Sequence, residues 1–214
     1  MTTSETKTRG AENQQPESAS PAAADGDPAL IGVPTFVVGS VALGLVLVGY
    51  VSAEAVGASV AIILAATGLG QIVAAAWAAR LAQNAVASIF GTFAGFWLSY
   101  GMLVLGLGNH WYGIPEGESV RTQGLFLIAW LSLIIILTIA TLRLPRIFTL
   151  LFVLVSLALA LVLAGTLAGS STLLAAGGIV VFGFALVGVY LFLNATSLAT
   201  GGSGLPLGRP LNHN

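Results

Sequence analysis

Of the chain's 214 residues, 57% are apolar and only 7% charged, against roughly 45–50% and about 25% in an ordinary soluble domain, so the sequence reads as a membrane protein. A net charge of -1 supplies neither a basic face for nucleic acid nor a polybasic collar for anionic lipid. With no cysteine, disulfides, thiolate metal sites and cysteine nucleophiles are excluded.

Residues 1–26, rich in Thr, Ser, Ala, Glu and Gln, are too polar to pack a core and are expected to form a disordered tail. The stretch "DPALIGVPTFVVGSVALGLVLVGYV" at 27–51 then runs for more than twenty residues without a charge after Asp27. It starts too far into the chain, is too long and follows too acidic a tail to be a secretory signal. A helical span needs about 20 mostly apolar residues, because its backbone polar groups must be satisfied internally. Six stretches qualify: 31–52, 56–79, 85–107, 122–142, 147–168 and 172–197. The breaks are Glu54, Arg80 to Asn84, "GNHWYGIPEGESVR", "RLPR" at 143–146 and the uncharged "AGSS" at 168–171. The expected fold is therefore all-α and polytopic: a six-helix transmembrane domain over 27–200, followed by a C-terminal tail at 201–214.

Lys7, Arg9, Arg80, Arg143, Arg146 and Arg209 fall on one side of this arrangement and Arg121 alone on the other. The positive-inside rule then places both termini in the cytoplasm and the loop bearing His110, Trp111 and Tyr112 outside. No Asp, Glu, Lys, Arg or His lies near the middle of a span, which argues against a carboxylate-driven pump. The two histidines, His110 and His213, give no base for an intramembrane serine protease and no metal cluster. No enzyme activity, cofactor or metal is expected.

What the spans hold is glycine, isolated amides and hydroxyls, and aromatics. "GTFAG" at 91–95 and "GTLAG" at 165–169 are small-xxx-small patterns that serve helix packing or an oligomer interface. Gln71 sits mid-span, where its amide must face either a partner helix or a wet pathway. Phe90, Phe93 and Trp97 share a face of the third span, either as bulk within the bundle or as an aromatic constriction. Pro28 suits a helix start. Pro34 would loosen the first turns near Phe36, as a simple starter or beside a ligand cavity.

These segments, taken together, resemble the acetate uptake transporter family, which includes the succinate-acetate permeases. The family's opening motif reads approximately Asn-Pro-Ala-Pro-Leu-Gly-Leu, with a Phe four positions on and a Gly-Tyr at the helix end. Pro28, Ala29, Gly32, Phe36, Gly49 and Tyr50 match it in place. "TGLGQIVAAAWAARLAQN" is similar to the Gly-Gly-x-x-Gln segment and its loop Asn, through Gln71 and Asn84. "FAGFWLS" resembles a Ser-Tyr-Gly-x-Phe-Trp-Leu signature with one residue deleted, "TLRLPR" the turn after the fourth span, and "YLFLNATSLATGGSGLPLG" the closing segment. Asp27, Leu30, Ala94 and Ala195 depart from the pattern, at positions that bear on substrate more than on fold.

The resemblance covers Asp27 to Gly208 and implies a homo-hexamer whose six-helix protomers pass acetate, related monocarboxylates and succinate through a hydrophobic constriction of the first, third and fifth helices. By resemblance, Phe36 is the first-helix member, Phe93 or Ala94 the third, and an aliphatic near Leu154 or Val155 the fifth. Thr35, Gln71, Ser99 and Asn194 offer hydroxyl and amide groups for a carboxylate. With no acid or base at mid-depth, protons would travel with the protonated substrate or by water. A six-helix channel for a neutral solute such as urea, and a non-transporting membrane scaffold, are the alternatives that the uncharged interior leaves open.

Overall fold

The computed structural model describes residues 26–212; the expectations for the N-terminal tail up to residue 25, with Lys7 and Arg9, and for His213 lie outside them. Among the described residues the fold is all-helical, with six helices each long and apolar enough to cross a membrane. Helix α1 spans Ala29–Leu47. The second span opens with a 3-10 turn at Ala53–Ser59, widens into a π turn at Ile62–Gly68 and continues as α2, Leu69–Arg80. Helices α3 (Asn84–Gly108), α4 (Ser119–Ala140), α5 (Arg146–Ala168) and α6 (Ser171–Ala199) follow.

The helix ends have local causes. The Asp27 carboxylate accepts a hydrogen bond from the Ala29 amide at 2.9 Å, supplying one of the partners a helix start lacks. Helix α1 stops at Leu47, earlier than apolarity alone suggests, because Gly49 turns left-handed at φ +81° and the Tyr50 amide bonds back to Leu45 at 2.9 Å. The uncharged α5–α6 break is made by backbone geometry. Gly169 adopts φ +61°, the Ser170 amide returns to the Gly165 carbonyl at 2.9 Å, and the Ser170 hydroxyl accepts from the Leu173 amide at 3.3 Å.

In the bundle, α1 packs on both α2 and α6, α2 on α3, α6 on α5, and α5 on α4. The α1–α6 approach is close: a Cβ on Gly178 would lie 2.9 Å from Leu47 Cβ and 3.1 Å from the Gly44 carbonyl. The α3–α4 seam is wider and filled by rings. Phe96 meets Phe126 and Trp130 at 5.8 and 5.4 Å, and Tyr100 meets Phe126 at 5.9 Å. Of the two small-residue motifs, "GTLAG" packs α5 against α6 within the protomer, since a Cβ at Gly165 would sit 2.9 Å from the Leu174 amide. "GTFAG" leaves Gly91 and Gly95 exposed.

The segment after α6 folds back as a strap across the end of the bundle where α1 begins. Ser197 Oγ donates to the Ser203 carbonyl, the Leu205 amide to Asn194 Oδ1 at 2.7 Å, and Tyr190 Oη to the Pro206 carbonyl at 3.0 Å. Farther on, the Leu207 carbonyl accepts from the Ile147 amide, and the Leu211 amide reaches Leu142 at 3.1 Å. The strap thus ties α6 to the α4–α5 turn, so the C-terminal tail, as far as residue 212, is hydrogen-bonded to the bundle.

Candidate functional site

Two cavities lie in line within the bundle and share two side chains, Phe36 and Phe93. The larger, about 260 Å³, opens at the strap end, where Asp27, Gln71, Asn194, Phe152 and Leu207 contribute to its walls. The smaller, about 50 Å³, lies beyond the shared phenylalanines, with Trp97, Tyr100, Val155 and Phe184 among its walls. For scale, a cavity of roughly 10–15 Å³ holds one water.

The partition between them is a cluster of buried rings. Phe36 is 6% exposed and Phe93 5%. Their centroids lie 5.1 Å apart at 68°, an edge-to-face arrangement, which suits the aromatic quadrupole. Phe184 of α6 backs Phe36 at 5.5 Å and Phe152 of α5 backs Phe93 at 5.6 Å. The α1 backbone stays helical through this level but lacks one amide donor. Pro34 has no amide hydrogen to give to Leu30, while the Thr35 hydroxyl donates to the Ile31 and Gly32 carbonyls at 2.9 and 3.0 Å. The Ser40 hydroxyl donates to the Phe36 carbonyl at 2.7 Å.

Gln71 is fully buried and joins the second span to α1. Its Nε2 donates to the Gly32 carbonyl and reaches Thr35 Oγ1 at 3.4 Å, while its Oε1 has no partner in the protein. The amide therefore ties the second span to α1, and the residue borders the larger cavity. Gly32 is needed beneath it, because a Cβ there would overlap the Phe90 ring.

The other expected residues divide by position. Asn194 lines the larger cavity, but its Oδ1 is occupied by the strap, leaving only its Nδ2 for a solute. Ala29 lines the same cavity, and Pro28 is buried beside it. In α3 it is Phe93, not Ala94, that borders both cavities; Ala94 is 3% exposed and borders neither. In α5, Val155 lines the smaller cavity, whereas Leu154 packs against the core and lines neither. Ser99 donates to its own helix, to the Gly95 carbonyl at 2.6 Å. Gly49 and Tyr50 lie at the opposite end of α1, where Tyr50 is 76% exposed and the pair serves the helix stop. Sequence reasoning passed over Phe152 and Phe184. The one available signal was the recurrence of Phe on α5 and α6, which among so many apolar neighbours does not say which way a ring points.

The model of the GPR1/FUN34/yaaH family matches residues 10–201. Among solved structures, one titled "Structure of the bacterial acetate channel SatP" is similar in fold, with a TM-score of 0.75 at 22% identity, covering 86% of this chain and 99% of that one. No curated protein matches the chain.

Proposed function

Since the chain belongs to the GPR1/FUN34/yaaH family, we propose that it carries acetate and similar small monocarboxylates across a membrane. The observation that supports this reading is the pair of cavities meeting at Phe36 and Phe93. A short carboxylic acid has a methyl end suited to such walls and a carboxyl group that needs a few placed hydrogen bonds. The protein of similar fold is itself described as an acetate channel.

The solute crosses this partition as the neutral acid, so that a proton moves with it. No Lys, Arg or His lines either cavity, while the acidic Asp27 is among the residues at the wall of the larger one. Groups that repel or fail to solvate an anion, in a ring-lined passage, favour the uncharged form. The test is uptake of labelled acetate by liposomes holding the purified protein, at a pH well above the carboxylic range so that passive leak of the acid stays small. Saturable uptake, faster under an inward proton gradient and competed by propionate but not urea, is expected. Competition by urea instead would make the protein a neutral-solute channel, and indifference to the gradient would remove the proton.

Both termini face the cytoplasm in this reading, as the distribution of basic residues supports. The natural absence of cysteine makes the check direct. A membrane-impermeant maleimide should label Asn109→Cys in intact cells and Ser203→Cys only after permeabilisation; the reverse pattern overturns the orientation.

A further inference from the structure

Charge is divided unevenly between the two ends of the bundle. Among the described residues, Arg80, Arg143, Arg146 and Arg209 stand at the strap end with Asp27 as the one acid, while Arg121 stands at the other end beside Glu118. The sequence holds no basic run; the fold assembles a basic cluster from two separate segments. Pro145 and Pro210 pair in an antiparallel bridge, which sets their neighbours Arg146 and Arg209 side by side. Like charges so placed repel. Arg146 also opens helix α5, the end of a helix that disfavours a cation. No acid among the described residues answers either arginine, since the one ion pair there joins Arg121 to Glu118 at 3.7 Å.

Beside the cluster lies an open groove of about 400 Å³ between α5, α6 and the strap, with Arg146, Ile147, Leu150, Tyr190 and Leu207 on its walls. Arg146 and Leu150 are about one helical turn apart, so the groove runs from a cation at the bundle end toward the apolar middle of the span. A Cβ on Gly208 would lie 3.3 Å from Arg146 Cβ and 3.4 Å from its Nε, so the strap runs along the arginine's stem. Tyr190, an amphipathic ring, suits the headgroup level. A second groove, at the opposite end beside Leu125 and Leu167, differs in that its Arg121 already has Glu118 as counter-charge.

We propose that the groove at the strap end binds one anionic phospholipid, with its phosphate on Arg146 and Arg209 and an acyl chain over Ile147, Leu150 and Leu207. Paired guanidinium groups match the geometry of a phosphate. The apolar wall that continues from them suits a lipid rather than a free phosphate. In the orientation proposed above, this end meets the cytoplasmic leaflet, where anionic lipids concentrate. Leu207 borders the larger cavity as well as the groove, so the lipid braces the strap where it walls that cavity. The site goes beyond the transport reading and is measured without any solute.

The probes are dioleoyl phosphatidylglycerol and dioleoyl phosphatidylcholine, titrated onto the full-length protein in detergent and read by native mass spectrometry as bound lipid per chain. Wild type should hold the anionic lipid at least about tenfold more tightly, because each cation near the headgroup contributes about fivefold. Arg146→Gln combined with Arg209→Gln should abolish the preference, and Arg121→Gln should leave it unchanged. Leu150→Trp, at an exposed position, fills the groove while keeping both arginines and should weaken the anionic lipid about tenfold. Equal affinity of wild type for the two lipids, or a preference that survives in the double variant, overturns the proposal. So does wild-type affinity in Leu150→Trp, which would leave a general attraction of charge and no groove. Displacement of the lipid by glycerol 1-phosphate at a comparable concentration would make this an anion site without a tail. A change of oligomeric state in Leu150→Trp with no loss of lipid would assign the groove to a second copy of the chain, and either result overturns the lipid.

Discussion

Phe36→Ala should join the two cavities and weaken the preference for short over longer acids expected of a ring partition. The Phe36 ring borders both spaces and contacts Phe93, Trp97 and Phe184, so its loss opens the partition rather than trimming one wall. A methylene in an apolar pocket is worth about 1–3 kcal/mol, or roughly 10–200-fold in selectivity. The expected result is a preference for acetate over butyrate reduced by about tenfold or more, measured as the ratio of their uptake rates in liposomes. Truncating a buried Phe also costs stability, about 3–5 kcal/mol in well-packed cores. Phe36→Leu is therefore the companion, retaining bulk and expected to shift the ratio in the same direction by less. A wild-type ratio in both variants would mean that the solute does not pass Phe36.

Gln71→Leu should reduce acetate flux about tenfold and destabilise the bundle by about 1 kcal/mol, within the range for interhelical hydrogen bonds in membranes. Two things leave with the amide: the tie from Nε2 to the Gly32 carbonyl and a polar residue at the wall of the larger cavity. Gln71→Glu separates them. The new carboxyl can donate to the Gly32 carbonyl only when protonated, so the tie is present at low pH and lost as the carboxyl ionises. Thermal unfolding in detergent should show this variant near wild type in acid and near Gln71→Leu in base. Flux in Gln71→Leu equal to wild type would remove Gln71 from the path and leave it a structural strut.

Some of the candidate site could be read from residues because their types are rare in a span. One amide in the middle of an apolar run, Gln71, has few things it can be doing; in the structure it ties the second span to α1 beside the larger cavity. Phe36 and Phe93 stood out through the motifs around them, and both border the partition. On α5 the same reasoning reached the right turn of the helix without resolving its face. Leu154 and Val155 are adjacent and equally apolar, yet one residue is a rotation of about 100°, and only Val155 lines a cavity.

The amino-acid sequence by itself determined the number of spans, their order, and the places where the chain turns, because crossing a membrane demands long uncharged stretches and turning demands glycine, proline or charge. It also determined that no Asp, Glu, Lys, Arg or His would lie near the middle of a span. Only the tertiary structure decided which rings separate the two cavities, that the closing segment straps the bundle end through Asn194, and that the Trp97 N–H is left without a partner. The physical reason is that a helix apolar on every side has no periodic pattern to say which face turns inward. Facing is then set by which side chains interlock and which hydrogen bonds are left over, and those exist only once all six helices are in place.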